Sequence, residues 1–269
     1  MFDRIGQGIY WDKFWRLVDG CTPCSPGCER CWSARYTHRF DRIGGHRYFT
    51  SEEGKFKSYL ELRYDSLDRP LHAKKPRCWF ILNDLFHKQV PTQFIDRALE
   101  IMAATPQHIY LLLTKRANLI EEKLYGPTLD NPGRELGGGD SIDNVWPGVT
   151  VCNQEEADKK IPPLLQIPAA VRWLSIEPML GPVDPNVEWG QGVGELALES
   201  GRINWVVLGT ESGPGRRPAN IEDMINVVNQ CRCAGIPVFV KQVEINGKTS
   251  KGPSEWPEEL RIRELPECK

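Results

Sequence analysis

Short apolar runs rich in β-branched and aromatic residues alternate along this chain with segments of helical period. The runs RCWFILN (77–83), HIYLLLT (108–114), NVWPGVTV (144–151), VRWLSIE (171–177), NWVVLG (204–209) and PVFVKQ (237–242) read as buried strands. Further runs at 14–18 and 59–63 bring the expected count to eight. Between strands, PTQFIDRALEIMAA puts Phe94, Ala98, Leu99, Ile101 and Met102 on one helical stripe, and IEDMINVVNQCRCAG does the same for Met224, Val227, Val228 and Cys231. Gly235 and Pro237 end the second helix and start the last strand.

This alternation predicts an α/β fold. Eight βα repeats in 269 residues fit a (β/α)8 TIM-like barrel, with a partial (β/α)6 barrel plus additions as the alternative. One barrel domain is expected over 1–246, interrupted by glycine-rich surface loops near 125–143 and 184–202. The tail, 247–269, is expected as an extension packing on the barrel through Trp256 and Leu260.

A barrel places its chemistry at the C-terminal ends of its strands, so the residues there are the candidates. They include Asn83 and Asp84 with His87 close by, Lys115 and Arg116, Glu177, the loop from Gly209 through Glu211 and Ser212, and Lys241 with Gln242. Glu177 and Glu211 each close a run that reads as buried, where a carboxylate needs a cation, a metal or a donor. Catalytic candidates are Glu177, His87 and Lys115. The loop GTESGPGRRP has three glycines, and its amides with Arg216 and Arg217 suit a carboxylate or phosphate.

A net charge of -2 and a pI near 6.3 provide no global reason to bind nucleic acid or an anionic membrane. No apolar run approaches the roughly 18 residues of a membrane span, and the N-terminus has no signal-peptide pattern, so a cytoplasmic protein without membrane partners is expected. In that reducing compartment nine cysteines are not a disulfide framework. Cys78, Cys152, Cys231, Cys233 and Cys268 read as scattered structural thiols.

The other four, Cys21, Cys24, Cys28 and Cys31, fall within eleven residues, GCTPCSPGCERCW, as C-x2-C-x3-C-x2-C. Zinc ribbons separate their cysteine pairs widely, whereas this compact spacing suits thiolates wrapped around an iron-sulfur cluster. Cys24, Cys28 and Cys31 form C-x3-C-x2-C, the spacing of radical SAM enzymes.

With LNDLFHKQVP, LLLTKR, NVWPGVTV, SIEPMLGPV, GTESGPGRRP, FVKQ and PSEWPEELRIRELP, the cluster resembles a family of uncharacterised phage- and prophage-associated three-cysteine proteins, itself similar to the radical SAM superfamily. That family carries cysteines at the places of Cys21, Cys28 and Cys31 and an apolar residue at that of Cys24. Superfamily spacing selects Cys24 as third ligand and the family pattern selects Cys21, the preferred choice because the likeness spans the chain.

The resemblance implies a [4Fe-4S] cluster and S-adenosylmethionine (SAM), cleaved reductively to a 5'-deoxyadenosyl radical that takes hydrogen from a substrate. It implies an electron donor such as flavodoxin or ferredoxin, and a substrate that is a nucleotide, a nucleic acid or a small metabolite. Glu211 with Gly209 and Ser212 resembles the acidic end of the superfamily's SAM-binding glycine motif, although it follows the seventh strand rather than an early one. Glu177, Asn83 and Lys241 complete the expected cofactor contacts; Asp84, Arg116, Arg216 and Gln242 are the substrate-binding candidates. Two other classes stay open: an electron-transfer protein with all four cysteines on the cluster, and a zinc-binding barrel.

Overall fold

The structure, a computed structural model, describes residues 1–41, 48–125, 142–189, 195–198, 200 and 202–267. Among the described residues twelve strands are found: β1 (Lys13–Trp15), β2 (Val18–Gly20), β3 (Leu60–Leu62), β4 (Cys78–Ile81), β5 (Ile109–Thr114), β6 (Val145–Thr150), β7 (Trp173–Ile176), β8 (Glu188–Trp189), β9 (Glu195–Leu196), β10 (Trp205–Gly209), β11 (Val238–Ile245) and β12 (Lys248–Ser250). Eight of them pair in one sheet in the order β1-β4-β5-β6-β7-β10-β11-β12. Every pairing is parallel except β11 with β12. The protein is therefore an α/β protein with a mostly parallel central sheet.

Among the described residues five α-helices accompany the strands: α1 (Trp32–Asp41), α2 (Thr92–Ala103), α3 (Ile120–Tyr125), α4 (Gln154–Gln166) and α5 (Ile221–Cys233). The stripe of α5 is buried as its period requires, at Met224, Val227, Val228 and Cys231. On α2, Ile95 joins Phe94, Ala98, Leu99 and Met102 in the core and Ile101 is only half-buried. No described helix is long and apolar enough to cross a membrane.

Strand alternation builds two cores. Ile81, Tyr110, Leu112, Leu174, Val206 and Val240 face the helices. Their neighbours Cys78, Phe80, Ile109, Leu111, Trp173, Trp205, Val207 and Phe239 face a second core around Tyr10 and Trp11. The Tyr10 ring centroid lies 6.2 Å from Phe80, 5.8 Å from Trp173, 5.3 Å from Trp205 and 5.5 Å from Phe239. Phe80 and Phe239 stand on strands far apart in the sheet order, so one ring touching both requires the sheet to curl around it. Gly148 leaves room for this packing, because a Cβ there would meet the Trp173 indole at 2.5 Å.

The tail lines the β11 side. Val240 N donates to Ile262 O at 2.9 Å and Glu264 N to Val238 O at 2.9 Å, while Trp256 and Leu260 are fully buried. Arg263 reaches back to Gly6 O at 2.7 Å, joining tail and N-terminal segment.

Two strand expectations are corrected. The run at 14–18 splits: Leu82 N bonds to Trp15 O at the sheet, and the chain then leaves it for β2. The run at 59–63 is β3, but it pairs antiparallel with β2 outside the main sheet. Buried Asp19 takes Arg16 and Arg63, which holds this ribbon together. The eighth sheet strand is instead β12, in the tail. Of the expected insertions, 126–141 and 190–194 lie outside the described residues, as does Cys268.

Candidate functional site

The parallel strands bring their C-terminal ends to two adjoining cavities. The smaller, about 100 Å³, is lined by Cys21, Cys24, Cys28 and Cys31 with Asn83, Asp84, Thr114, Lys115 and Arg116. The larger, about 280 Å³, has Tyr10, Trp11 and Phe80 among its walls and Glu177, Thr210, Glu211, Ser212, Lys241 and Gln242 among its polar groups. Cys31, Trp32, Phe80, Leu113, Lys115 and Thr150 belong to both. The cysteine cavity thus shares a wall with a chamber lined by strand ends.

The cysteine loop runs from β2 to α1. A short 3-10 turn over Pro26–Cys28 folds it back, with Ser25 Oγ accepting from Gly27 N at 3.2 Å. Gly27 presses against the end of β6: a Cβ there would stand 2.6 Å from Cys152 Sγ and 3.4 Å from Lys115 Cε. Cys152 therefore backs the cysteine loop at Gly27.

The thiols are electrostatically unequal. Cys24 donates its S–H to Cys28, which with nearby Lys115 brings Cys28 down to about 5 against the opposing effect of burial. Burial pushes Cys21 up to about 11, Asp84 adding to this and Arg116 opposing it. Burial would neutralise Lys115, yet Cys28, Cys152, Cys31 and Cys24 hold its pKa above the usual lysine value. Among the described residues no carboxylate pairs with Lys115, so the Cys28 thiolate is its counter-charge.

Among the described residues, no group of three or more His, Cys, Asp or Glu side chains is placed to hold one metal ion. Tetrahedral zinc needs its ligands around one point. In a cluster each cysteine binds a different iron, which spreads the sulfurs apart. All four cysteines are free, ring one cavity and face buried cations, so the donor set fits an anionic cluster better than a single ion.

In the larger cavity Glu177 is the central carboxylate. Tyr10 donates to its Oε2 at 3.3 Å, and Lys241 Nζ lies 3.1 Å from Oε1. That approach is an ion pair off the hydrogen-bonding direction, and Oε1 has no hydrogen-bond partner. Thr210 Oγ1 and Arg30 Nε, on the same cavity, are also buried without hydrogen bonds. Such groups are costly to bury unless a ligand or water meets them. Burial raises the Tyr10 pKa far above the usual phenol, and the Glu177 charge raises it further. Lys241 also lies 5.5 Å from the centroid of the Trp11 ring. A Cβ on Gly209 would come within 2.8 Å of Glu177 Oε1, so the glycine keeps the carboxylate in place.

The glycine loop serves arginines from elsewhere. Gly213 (φ +94°) and Gly215 (φ +65°) pass directly against Arg35 and Arg30, and Arg35 donates to Ser212 O. Glu211 accepts from Arg217 N at 2.8 Å and from Arg217 Nη2 at 2.6 Å. Although burial opposes it, these bonds keep the Glu211 pKa below the usual carboxylate value.

The remaining candidates divide. Asn83, at positive φ of 64°, accepts from Ser33 Oγ at 2.6 Å; Asp84 pairs with Arg116, and Gln242 donates to Thr210 O at 2.7 Å. Two candidates lie away from both cavities. Arg216 is bound to Glu244 at 3.2 Å, and His87 is 1% exposed, with Nδ1 accepting from Gln89 N at 3.2 Å. Sequence reasoning did not single out Tyr10, Trp11, Arg30, Trp32 or Arg35 as cavity residues. The glycines at 213 and 215 were the available sign that bulky groups approach that loop.

Fold and site define an α/β protein with a cysteine-ringed cavity at the C-terminal ends of its parallel strands. The family model described as protein of unknown function (DUF5131) matches residues 7–257, and the chain belongs to that family. No curated protein and no solved structure matches the chain.

Proposed function

We propose that the protein is a radical SAM-like iron-sulfur enzyme, with Cys21, Cys28 and Cys31 holding a [4Fe-4S] cluster and SAM and substrate meeting in the larger cavity. The observation that carries this reading is the shared wall between the cysteine cavity and a chamber where buried Glu177 Oε1, Thr210 Oγ1 and Arg30 Nε make no hydrogen bond, the first and last having only ion pairs, to Lys241 and Glu211. A bound cluster supplies one electron for cleavage of SAM into methionine and a 5'-deoxyadenosyl radical, which takes a hydrogen atom from the substrate.

The chain's own residues do the rest. Lys115 balances the thiolate charge from within the shared wall. Glu177, held by Tyr10 and Lys241, accepts from amino or hydroxyl groups of the bound molecules through Oε1, and Thr210 Oγ1 adds a second polar contact. Arg30, Arg35 and Lys241 provide positive charge for a carboxylate or other anion. Tyr10, Trp11, Phe80 and Trp32 exclude water from the chamber.

The curled sheet fits the (β/α)8 or partial barrel that such chemistry uses, and reduction requires an electron donor such as flavodoxin or ferredoxin in the cytoplasm. Cys24 is the spare cysteine, beside Cys28. Its place on the same cavity also favours a second reading, a closed four-cysteine cluster that only transfers electrons.

Anaerobic reconstitution of Cys21→Ala and Cys24→Ala separates the two. Cluster retention in Cys24→Ala alone, with a SAM-dependent change in the EPR spectrum, supports the enzyme reading. Loss of the cluster in both variants supports four ligands, and uptake of zinc in place of iron by the wild type rejects both.

A further inference from the structure

α1 carries an exposed aromatic row that starts at the cavities. Trp32, Tyr36 and Phe40 recur every four residues, so they share one helix face over about 12 Å. They are 40%, 41% and 57% exposed. Trp32 lines both cavities and stacks on Phe14 at 6.0 Å and 27°, so its indole joins the site wall to the surface. The Tyr36 and Phe40 rings follow, 4.9 Å apart.

Arginines accompany the rings. Arg35 and Arg39 each stand three residues beyond a ring, hence beside it on the helix. From Arg30 to Phe40 the chain has three arginines and no carboxylate. Arg35 is tied to Ser212 O and Arg39 is exposed. A protein partner would have to supply apolar surface and separate carboxylates to match this row. A nucleic acid strand brings a flat base and a phosphate in every unit. In a duplex those bases are already stacked on one another, so the complementary partner is single-stranded.

We propose that α1 is a docking track for a single-stranded nucleic acid, which delivers a base past Trp32 to the mouth of the larger cavity. This names the substrate class of the proposed enzyme and rests on that reading for the cavity's role; the binding itself needs no cluster.

The test is fluorescence anisotropy of labelled single-stranded DNA and RNA of roughly fifteen nucleotides with the full chain, across a salt series. Saturable binding is expected, the two strands together showing which sugar is accepted. Replacing both Tyr36→Ala and Phe40→Ala should weaken binding roughly tenfold or more with little change in salt slope. Arg39→Ala should reduce the magnitude of that slope by about 0.7. Absence of saturable binding to either strand, or equal binding of duplex that is unaffected by the aromatic substitutions, overturns the inference. Self-association of the wild type that the aromatic substitutions abolish also overturns it and assigns the row to a protein contact. Iron content after reconstitution distinguishes the two readings: normal cluster without oligonucleotide binding removes only the track, and normal binding without a cluster removes only the enzyme.

Discussion

Gly27 and Cys152 lie in direct opposition: a Cβ on the glycine would stand 2.6 Å from the Cys152 sulfur. The cysteine loop is thereby seated on the end of β6 by the absence of one side chain. Gly27→Ala should overpack this contact, costing about 1–3 kcal/mol and lowering iron uptake on reconstitution. Cys152→Ala in the same chain removes the opposing sulfur and should restore much of both losses. Thermal unfolding and iron analysis of the single and double variants check the pair.

Lys115 should set the electrostatics of the same seat. Its ammonium has the Cys28 thiolate as its counter-charge, so Lys115→Met leaves that anion, and any cluster bound there, without a buried cation beside it. The variant should retain less iron, and the reduction potential of any cluster it holds should become more negative. Potentiometric titration followed by EPR measures this directly; an unchanged potential would place Lys115 outside the cluster's field.

Glu177 tests the larger cavity. Gly209→Ala would bring a methyl within 2.8 Å of Oε1 and displace the carboxylate, while Glu177→Gln keeps its shape and removes its charge. Both should weaken SAM binding by about tenfold or more while leaving iron content unchanged, as expected for loss of a charged hydrogen bond. Equilibrium dialysis with labelled SAM reads the first effect and iron analysis the second.

His87 contributes to stability. Burial, with Arg116 adding to it, lowers its pKa from 6.5 to about 4. Between these values the unfolded chain binds a proton that the folded chain does not, so stability rises with pH. The His87 contribution is therefore fully present above about pH 6.5 and is lost as pH falls toward 4. Denaturant midpoints measured across that window should decline toward acid in the wild type and decline less in His87→Gln.

Much of the sheet was legible because buried parallel strands are continuous apolar runs, as in HIYLLLT and NWVVLG. The β2–β3 ribbon was harder to read. Its course depends on Asp19, already beside Arg16, also meeting Arg63, a pairing across 44 residues that no local pattern announces. β12 was hidden for another reason: three residues, Lys248–Ser250, are too few to show a period. At the site, the strand-end rule pointed to Glu177, Lys115 and Lys241 because their position follows from the strand itself. Tyr10 and Trp11 precede the first strand, and only the curl of the sheet brings them to the chamber. Arg216 and Arg217 were adjacent in sequence, yet Arg217 alone turned toward Glu211 while Glu244 took its neighbour.

The most direct measurement of the central claim is EPR of the anaerobically reconstituted, reduced wild-type protein with and without SAM. The account predicts about four irons and four sulfides per chain, a reduced-cluster signal, and a change in that signal on adding SAM. A protein that takes up no iron and sulfide under those conditions, or whose cluster signal is indifferent to saturating SAM, would contradict it.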